Sequence, residues 1–267
     1  MLEEFKCIIH QISDELNLSY QTFSNDWIIK LSRDNINKYI VGMKFPLNDQ
    51  ALCDVLNDKY ATYTLLKNAN IPIIEHNIIF NPITRREYIS DISFDKLEEY
   101  FNLQINHTVV IKANSGFGGY DVHKCNSYFE MLRTIEEIFK HKDSLSICPF
   151  YDIETEYRLI YLDGECKLLY GKKASSTGWK HNLSQGAKVV DDIELEVQSR
   201  LNMIAKKILD VLPIVFASID IVKTVDNQLL VMEINPSVSM LRYFEGNPER
   251  KEKAKSIYKD AVLKLFE

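Results

Sequence analysis

Three oxygen-bearing side chains, Asp220, Glu233 and Asn235, lie in two apolar runs near the end of the sequence. The runs are IVFASIDIV and QLLVMEI, and the polar residues between them predict a β-hairpin with Asp226-Asn227 as its loop. A two-residue loop sets Asp220 directly opposite Glu233, and strand alternation puts Asn235 on the same face. A four-residue loop gives the same pairing, whereas a three-residue loop would slip it by one residue and scatter the group.

Two carboxylates and an amide on one face are typical of a magnesium site. Hard oxygen ligands without Cys or His are the set that Mg²⁺ prefers. Paired carboxylates repel each other, and burying them without a partner costs on the order of several kcal/mol, so apolar strands should not carry them for structure alone. The alternative is that Asp220 and Glu233 are solvated charges at strand ends, and the pattern alone leaves both interpretations open.

A glycine-rich loop joins two further predicted strands, VVIKA and YDVHKC. The loop consists of Ser115, Gly116, Phe117, Gly118 and Gly119. Such a loop brings bare backbone N–H groups against a phosphate, and Lys112 is a poor strand residue unless its amine meets an anion. No GxxxxGK[ST] motif is present, and GxGxxG fails because Asp121 holds its last position. The pattern therefore favours phosphate binding, with a mobile hairpin loop as the alternative.

A second hairpin is predicted around Asp163-Gly164, which is a strong turn signal. With a two-residue loop, Arg158 faces Leu169, and Glu156, Arg158 and Lys173 share one face. Two cations and a carboxylate on one face indicate an anion site. A solvated outer face with ordinary ion pairs explains the same pattern equally well.

Composition narrows the class of protein. The chain has 267 residues, 46% of them hydrophobic, and a net charge of −6, which argues against a nucleic-acid partner held by charge. No apolar run approaches the roughly 20 residues that span a bilayer, and the first residues do not read as a signal peptide. Five cysteines without a CxxC pair predict reduced thiols and a cytoplasmic location.

These pieces occur in an order that resembles the ATP-grasp superfamily of carboxylate–amine ligases, over roughly residues 55–240. The nearest branch is similar to the α-L-glutamate ligases and glutathione synthetases. The matching positions are Asp58-Lys59, Asn70-Ile71-Pro72, Lys112 with the glycine-rich loop, Glu156-Tyr157-Arg158, Lys173 where Arg is usual, Asn182-Leu183-Ser184-Gln185-Gly186, and Asp220 with Glu233-Ile234-Asn235-Pro236. Ala187 and residues 236–239 depart from the family pattern, around the expected acceptor side.

The resemblance implies an α+β (α/β) ATP-grasp fold in which two mixed or antiparallel sheet subdomains clasp ATP. We expect an N-terminal subdomain at 1–48, a central one at 49–145 and a C-terminal one at 146–267. The implied ATP contacts are Lys59, Lys112, Ser115, Gly116, Gly118, Gly119, the backbone of Pro149, Phe150 and Tyr151, and Glu156. The implied catalytic residues are Arg158, Lys173 and Asn182, and the implied ligands of one or two Mg²⁺ (or Mn²⁺) are Asp220, Glu233 and Asn235.

The implied function is ATP-dependent formation of an amide between a carboxylate and an amine through an acylphosphate. The expected substrates are small molecules, amino acids or peptides, with no nucleic acid or membrane partner, and a homodimer is left open. A small-molecule kinase on the same scaffold and a non-catalytic ATP-binding module are the alternatives.

Overall fold

The computed structural model describes residues 2–116, 119–175 and 178–267. Helices α1–α8 cover Leu2–Glu15, Gln50–Asn57, Lys59–Asn68, Leu97–Leu103, Tyr128–Phe139, Leu195–Val211, Leu241–Phe244 and Pro248–Lys264. Strands β1–β12 cover Ser19–Phe23, Ile28–Arg33, Ile36–Val41, Asn77–Phe80, Val109–Ala113, Val122–Cys125, Ser144–Pro149, Ile153–Leu162, Glu165–Lys173, Lys188–Val190, Phe216–Thr224 and Leu229–Asn235. None of the described helices has the length and apolar character that crossing a membrane requires.

The strands form three sheets, and the two larger ones build the site. One has four strands in the order β4-β7-β5-β6, and the other has five in the order β10-β9-β8-β11-β12. The third contains β1-β2-β3, and all named strand pairs in the three sheets are antiparallel. The expectation of an α+β fold with two antiparallel sheet layers is therefore confirmed.

Strand β5 shows how the four-stranded sheet divides its two faces. Val109 and Ile111 belong to a core with Met131 and Ile135 of α5, so that face is covered by a helix. The alternate residues on the same strand, including Lys112, turn toward the five-stranded sheet. The amphipathic helix on one side thus leaves the other face of the sheet for a cleft.

The N-terminal residues pack into the same core as the C-terminal helix. Phe5 of α1 meets Tyr258 of α8 edge to face with ring centroids 5.1 Å apart, and Phe45 meets Phe216 of β11 at 5.3 Å. The carboxylate of Glu15 pairs with lysines of α8. These contacts anchor β1–β3 beside the five-stranded sheet, while the subdomain boundaries at 48 and 145 stay predictions.

The β11–β12 hairpin sets Asp220 opposite Glu233, as predicted, but its turn and its strand register differ from the prediction. Near the turn, Lys223 pairs with Leu229, which implies a turn one residue longer than the predicted two-residue loop. A β-bulge at Met232 then adds one residue to β12 and restores the predicted pairing. Because a bulge re-aims side chains, Met232 and Glu233 both line the cleft although they are consecutive.

The β8–β9 hairpin contains the predicted Asp163-Gly164 turn, and both turn residues have positive φ. A bulge at Lys167 follows, so Arg158 faces Tyr170 instead of Leu169. The same shift pairs Glu156 with Lys172. The prediction that Lys173 shares the face of Glu156 and Arg158 is therefore wrong, because its side chain is exposed on the other face.

Candidate active site

A cleft of about 840 Å³, open to solvent, lies between the four-stranded and five-stranded sheets. Its lining is mostly apolar, with a few charged side chains, as is typical of small-molecule sites. Ten of the sixteen predicted site residues line it, namely Lys59, Lys112, Gly116, Gly119, Pro149, Phe150, Tyr151, Glu156, Asn182 and Glu233. Predicted Gly118 falls outside the described residues, and Ser115 is exposed beside the backbone of Asp58.

One end of the cleft is apolar. Val110 and Cys148 are buried in a cluster that also includes Met232, the bulge residue. Phe150 packs edge to face on Trp179 with ring centroids 6.0 Å apart, and the Lys124 ammonium lies 3.6 Å from the centre of the Phe150 ring. Apolar walls with aromatic edges are suited to a flat heterocycle.

Two lysines bring positive charge to the same cleft. Asp58 caps α3 by accepting from the Ala61 N–H at 2.7 Å, which fixes Lys59 as the first helical residue. Asn114, one residue beyond β5, donates to the other Asp58 oxygen at 2.7 Å, so it ties the strand of Lys112 to that helix. These two bonds to Asp58 thus fix the position of α3, with Lys59, relative to β5, with Lys112.

Neither lysine has a carboxylate partner in the described part of the chain. The Lys59 Nζ donates to the Gly116 carbonyl at 3.2 Å, and burial lowers the pKa of Lys59. Lys112 is only 8% exposed, and its ammonium makes no hydrogen bond to another described residue. Both side chains line the cleft, so two ammonium groups without a described carboxylate partner favour an anion from a ligand.

A neutral histidine lies near the lysine pair. His76 is buried, and its Nδ1 lies 2.6 Å from the hydroxyl of Ser146, which is directly opposite Lys112 in the sheet. Burial and the charges of Lys112 and Lys59 hold the pKa of His76 well below its ordinary value. The neutral His76 ring therefore adds no further positive charge beside the two ammonium groups.

A buried ion network lies across the five-stranded sheet. Asp220 is fully buried and accepts two bonds from Arg158, Nε to Oδ1 at 2.7 Å and Nη2 to Oδ2 at 2.5 Å. Lys172 bonds to Glu156 and lies 3.3 Å from Asp220 Oδ1. Burial raises the pKa of Glu156, and the nearby charge of Lys172 opposes that shift. Burial also acts to raise the pKa of Asp220, but the charges of Arg158 and Lys172 outweigh it and lower that pKa to about 2.

The predicted metal ligands do come together. The Asn235 amide donates to Glu233 Oε1 at 3.0 Å and to Asp220 Oδ2 at 3.4 Å. In residues 2–116, 119–175 and 178–267, no group of three His, Cys, Asp or Glu side chains could hold a metal. A cation here would therefore need the Asn235 oxygen as well as the two carboxylates, a set of hard donors that fits Mg²⁺.

Asp220 is the least available of the three donors. A carboxylate has about four acceptor positions, and Arg158, Lys172 and Asn235 already direct four donors at those of Asp220. The bond from Asn235 is the longest of these, so it is the easiest for a cation to replace. Glu233 accepts only from Asn235 among the described side chains and lines the cleft, so it offers the most accessible oxygen.

Several residues in or beside the cleft were not predicted as site residues. Lys172 takes the position expected of Lys173, and the glycine-rich loop meets Asn182, since a Cβ on Gly119 would lie 3.0 Å from its amide. Gly119 also has a φ of +74°, which favours glycine. Additional lining residues are Trp179, Lys180, His181 and Met232. Periodicity gave no signal for the residues of the 174–190 loop, and a bulge is needed to bring Met232 into the cleft.

Comparison with known proteins agrees with this geometry. A RimK-like ATP-grasp domain matches residues 56–247. The chain is 28% identical to an uncharacterized MG011 homolog of Mycoplasma pneumoniae, in a match that covers 68% of this chain and 57% of that protein. It is 23% identical to the alpha-aminoadipate–LysW ligase LysX of Saccharolobus solfataricus, in a match that covers 88% of this chain and 86% of that protein.

Solved structures show the same fold. The D-alanine–D-alanine ligase of Bacillus anthracis, in its complex with ATP, superposes with a TM-score of 0.59 at 16% identity, covering 79% of this chain and 66% of that one. The chain thus spans just under two thirds of that ligase and a little over half of the Mycoplasma relative. The match over residues 56–247 covers most of the sequence, and the chain belongs to the RimK-like ATP-grasp family.

Proposed function

We propose that this protein is an ATP- and Mg²⁺-dependent ligase that joins a carboxylate to an amine. The observation that carries the proposal is the pair Lys59 and Lys112, two ammonium groups without a carboxylate partner among the described residues, at one end of a cleft whose other end is apolar. In a triphosphate joined to a flat heterocycle, the phosphates would pair with the two ammonium groups and the heterocycle would pack against the apolar end. Family membership and the ATP complex of the Bacillus ligase support ATP as that ligand.

Glu233, Asn235 and Asp220 would hold Mg²⁺ beside the phosphates, in line with their convergence and donor chemistry. When bound, Mg²⁺ supplies charge neutralisation for the phosphate oxygens. The protein's own part is to position charge. Lys59 and Lys112 bind the phosphates, and the backbone at 149–151 contacts the heterocycle.

In the proposed reaction, a substrate carboxylate oxygen attacks the γ-phosphorus of ATP, the bond from that phosphorus to the bridging oxygen breaks, and ADP leaves. The acylphosphate is then attacked at its carbonyl carbon by an amine, and inorganic phosphate departs. Arg158 and Lys172, locked in place by Asp220 and Glu156, contribute fixed positive charge. Asn182, in contact with Gly119, is positioned to donate to an oxyanion.

We propose amino acids or short peptides as substrates. The names of two similar proteins, an aminoadipate–LysW ligase and a D-alanine–D-alanine ligase, both specify an amino acid as a joined partner. The net charge of −6 argues against nucleic acid. All five cysteines are free, which supports a reducing, cytoplasmic setting.

The testing experiment measures phosphate release from Mg-ATP with pools of amino acids, small dicarboxylates and short peptides, followed by mass spectrometry of active pools. Release that needs two pool members, with a new mass equal to their sum less one water, supports the ligase. A product that gains one phosphate from a single member would select a kinase. Tight ATP binding without turnover in any pool would select a binding module.

A further inference from the structure

The ring of His181 lies in the loop between β9 and β10 and is only 5% exposed. Its Nδ1 lies 2.9 Å from the backbone oxygen of Lys172. A carbonyl oxygen can only accept, so Nδ1 must carry the proton and donate it. In the neutral ring the lone pair is therefore on Nε2.

Nε2 of His181 has no hydrogen-bond partner among the described residues. The ring lines the cleft and precedes Asn182, whose amide lies against Gly119 of the glycine-rich loop. The other buried histidine is different, because the Nε2 of His76 is sealed from the surface without a partner. His181 thus lines the cleft with a ring held by a backbone bond, and its Nε2 is not among the buried unpartnered atoms.

The elements around the cleft contribute other titratable groups, but the described ones are mostly engaged or cationic. They are Lys59 on α3, Lys112 on β5, Cys148 on β7, Tyr120, Tyr151, Glu156 on β8, Lys172 on β9, Lys180 and Glu233 on β12. Glu156 is paired with Lys172, and Glu233 belongs to the proposed metal site. His181 is the histidine that lines the described part of the cleft.

Building on the proposed function, we propose that Nε2 of His181 is the general base for the acceptor amine. An amino-acid or peptide acceptor arrives as an ammonium ion and must lose a proton before it can attack. Nε2 takes that proton, the neutral amine forms the C–N bond, and the carbonyl-to-phosphate C–O bond breaks. The second amine proton leaves with the phosphate, and His181 returns its proton to solvent.

The test separates acylphosphate formation from amine attack. Hydroxylamine is largely uncharged at neutral pH and needs no base, so it traps the acylphosphate as a hydroxamate. The carboxylate and amine come from the active pool of the phosphate-release experiment. The variant His181→Asn keeps an N–H in place of Nδ1 but removes Nε2, and the exposed His123→Asn is the matched control.

We expect His181→Asn to form hydroxamate within about threefold of wild type but to lose about a hundredfold or more in amide formation, the usual contribution of a general base. In this variant the amide rate should rise about tenfold per pH unit, as more amine becomes deprotonated. His181→Gln should behave alike, and His123→Asn should match wild type.

Equal losses of hydroxamate and amide in both His181 variants, or no loss in either, would overturn the inference while leaving the ligase intact. A wild-type protein that forms neither product would overturn the proposed function and the inference with it. An independent readout is the long-range ¹H–¹⁵N spectrum of ¹⁵N-histidine-labelled protein. The inference requires the Nδ1–H tautomer at His181, and an Nε2–H tautomer would contradict it.

Discussion

The structure has Lys172 in the buried ion network, where the sequence predicted Lys173, and substitutions of the two lysines test that difference. Lys172 is 3% exposed and is the cation for both Glu156 and Asp220, whereas Lys173 is exposed at the next position. Breaking a buried ion pair by removing one partner costs about 3–5 kcal/mol, while a surface change stays within about 0.5 kcal/mol. Arg158 still neutralises Asp220, so the main cost falls on Glu156.

We therefore expect Lys172→Met to lower the free energy of unfolding by about 3 kcal/mol at neutral pH, measured by urea titration with an unchanged m-value. Lys173→Met is the matched control and should lie within about 0.5 kcal/mol of wild type. The deficit of Lys172→Met should shrink as the pH falls, because a protonated Glu156 needs no cation. Adding Glu156→Gln should recover part of it for the same reason.

Equal effects of the two methionine variants, or a larger effect of Lys173→Met, would refute the bulge at Lys167 and the register that follows from it. A Lys172→Met deficit that Glu156→Gln deepens would contradict the pairing of these two side chains. The predicted outcome would show that the bulge at Lys167 decides which of the two neighbouring lysines pairs with Glu156.

Three further predictions follow. Lys112→Met should raise the unfolding free energy of the ligand-free protein by about 1 kcal/mol, because it removes an ammonium group that repels Lys59 and places an apolar side chain in a largely buried position. The same variant should weaken ATP binding roughly tenfold or more by calorimetry, and a loss of stability would contradict this reasoning. Glu233→Gln should lower Mg²⁺-dependent turnover a hundredfold or more, with ATP binding in EDTA unchanged, while exposed Glu154→Gln remains active. The pKa of Asp220 is lowered to about 2, so its carboxylate stabilises the fold above its ordinary pKa near 3.8. That share, about 2 kcal/mol, is lost as the pH falls from about 4 to 2, and Asp220→Asn should lack this part of the acid slope.

The pairing of Asp220 with Glu233 could be predicted from the sequence, although the turn length and the bulge that produce it could not. Alternation and a turn signal place two carboxylates opposite each other, and the structure has that pairing. A longer turn and the bulge at Met232 compensate for one another. A bulge is not marked by the alternation of apolar and polar residues, so the local sequence pattern does not contain that information.

The choice between Lys172 and Lys173 could not be made from the pattern. Both are cations at consecutive positions, so a shift of one residue leaves the sequence equally plausible. In the observed register, Leu168 and Tyr170 are buried in a core that also contains N-terminal residues. That core joins residues that are far apart in the sequence, and a local pattern carries no information about such contacts.

Lys112 stands out in the sequence as a cation in an apolar strand, whereas Lys59 is indicated by the family resemblance alone. Lys59 and Lys112 reach one cleft, as the family resemblance implied, because a helix cap and Asn114 link their elements. His181 lies in a segment without periodicity, so the sequence pattern assigns it no role. Its backbone bond to Lys172 identifies the protonated ring nitrogen, and only the structure shows that bond.

The central claim is that a substrate carboxylate is activated as an acylphosphate in this cleft. The most direct measurement uses a carboxylate substrate labelled with ¹⁸O in both oxygens and follows the phosphate released with Mg-ATP and the amine by mass spectrometry. Our account predicts that one ¹⁸O passes from the carboxylate into each phosphate molecule. Amide formed together with unlabelled phosphate would contradict it.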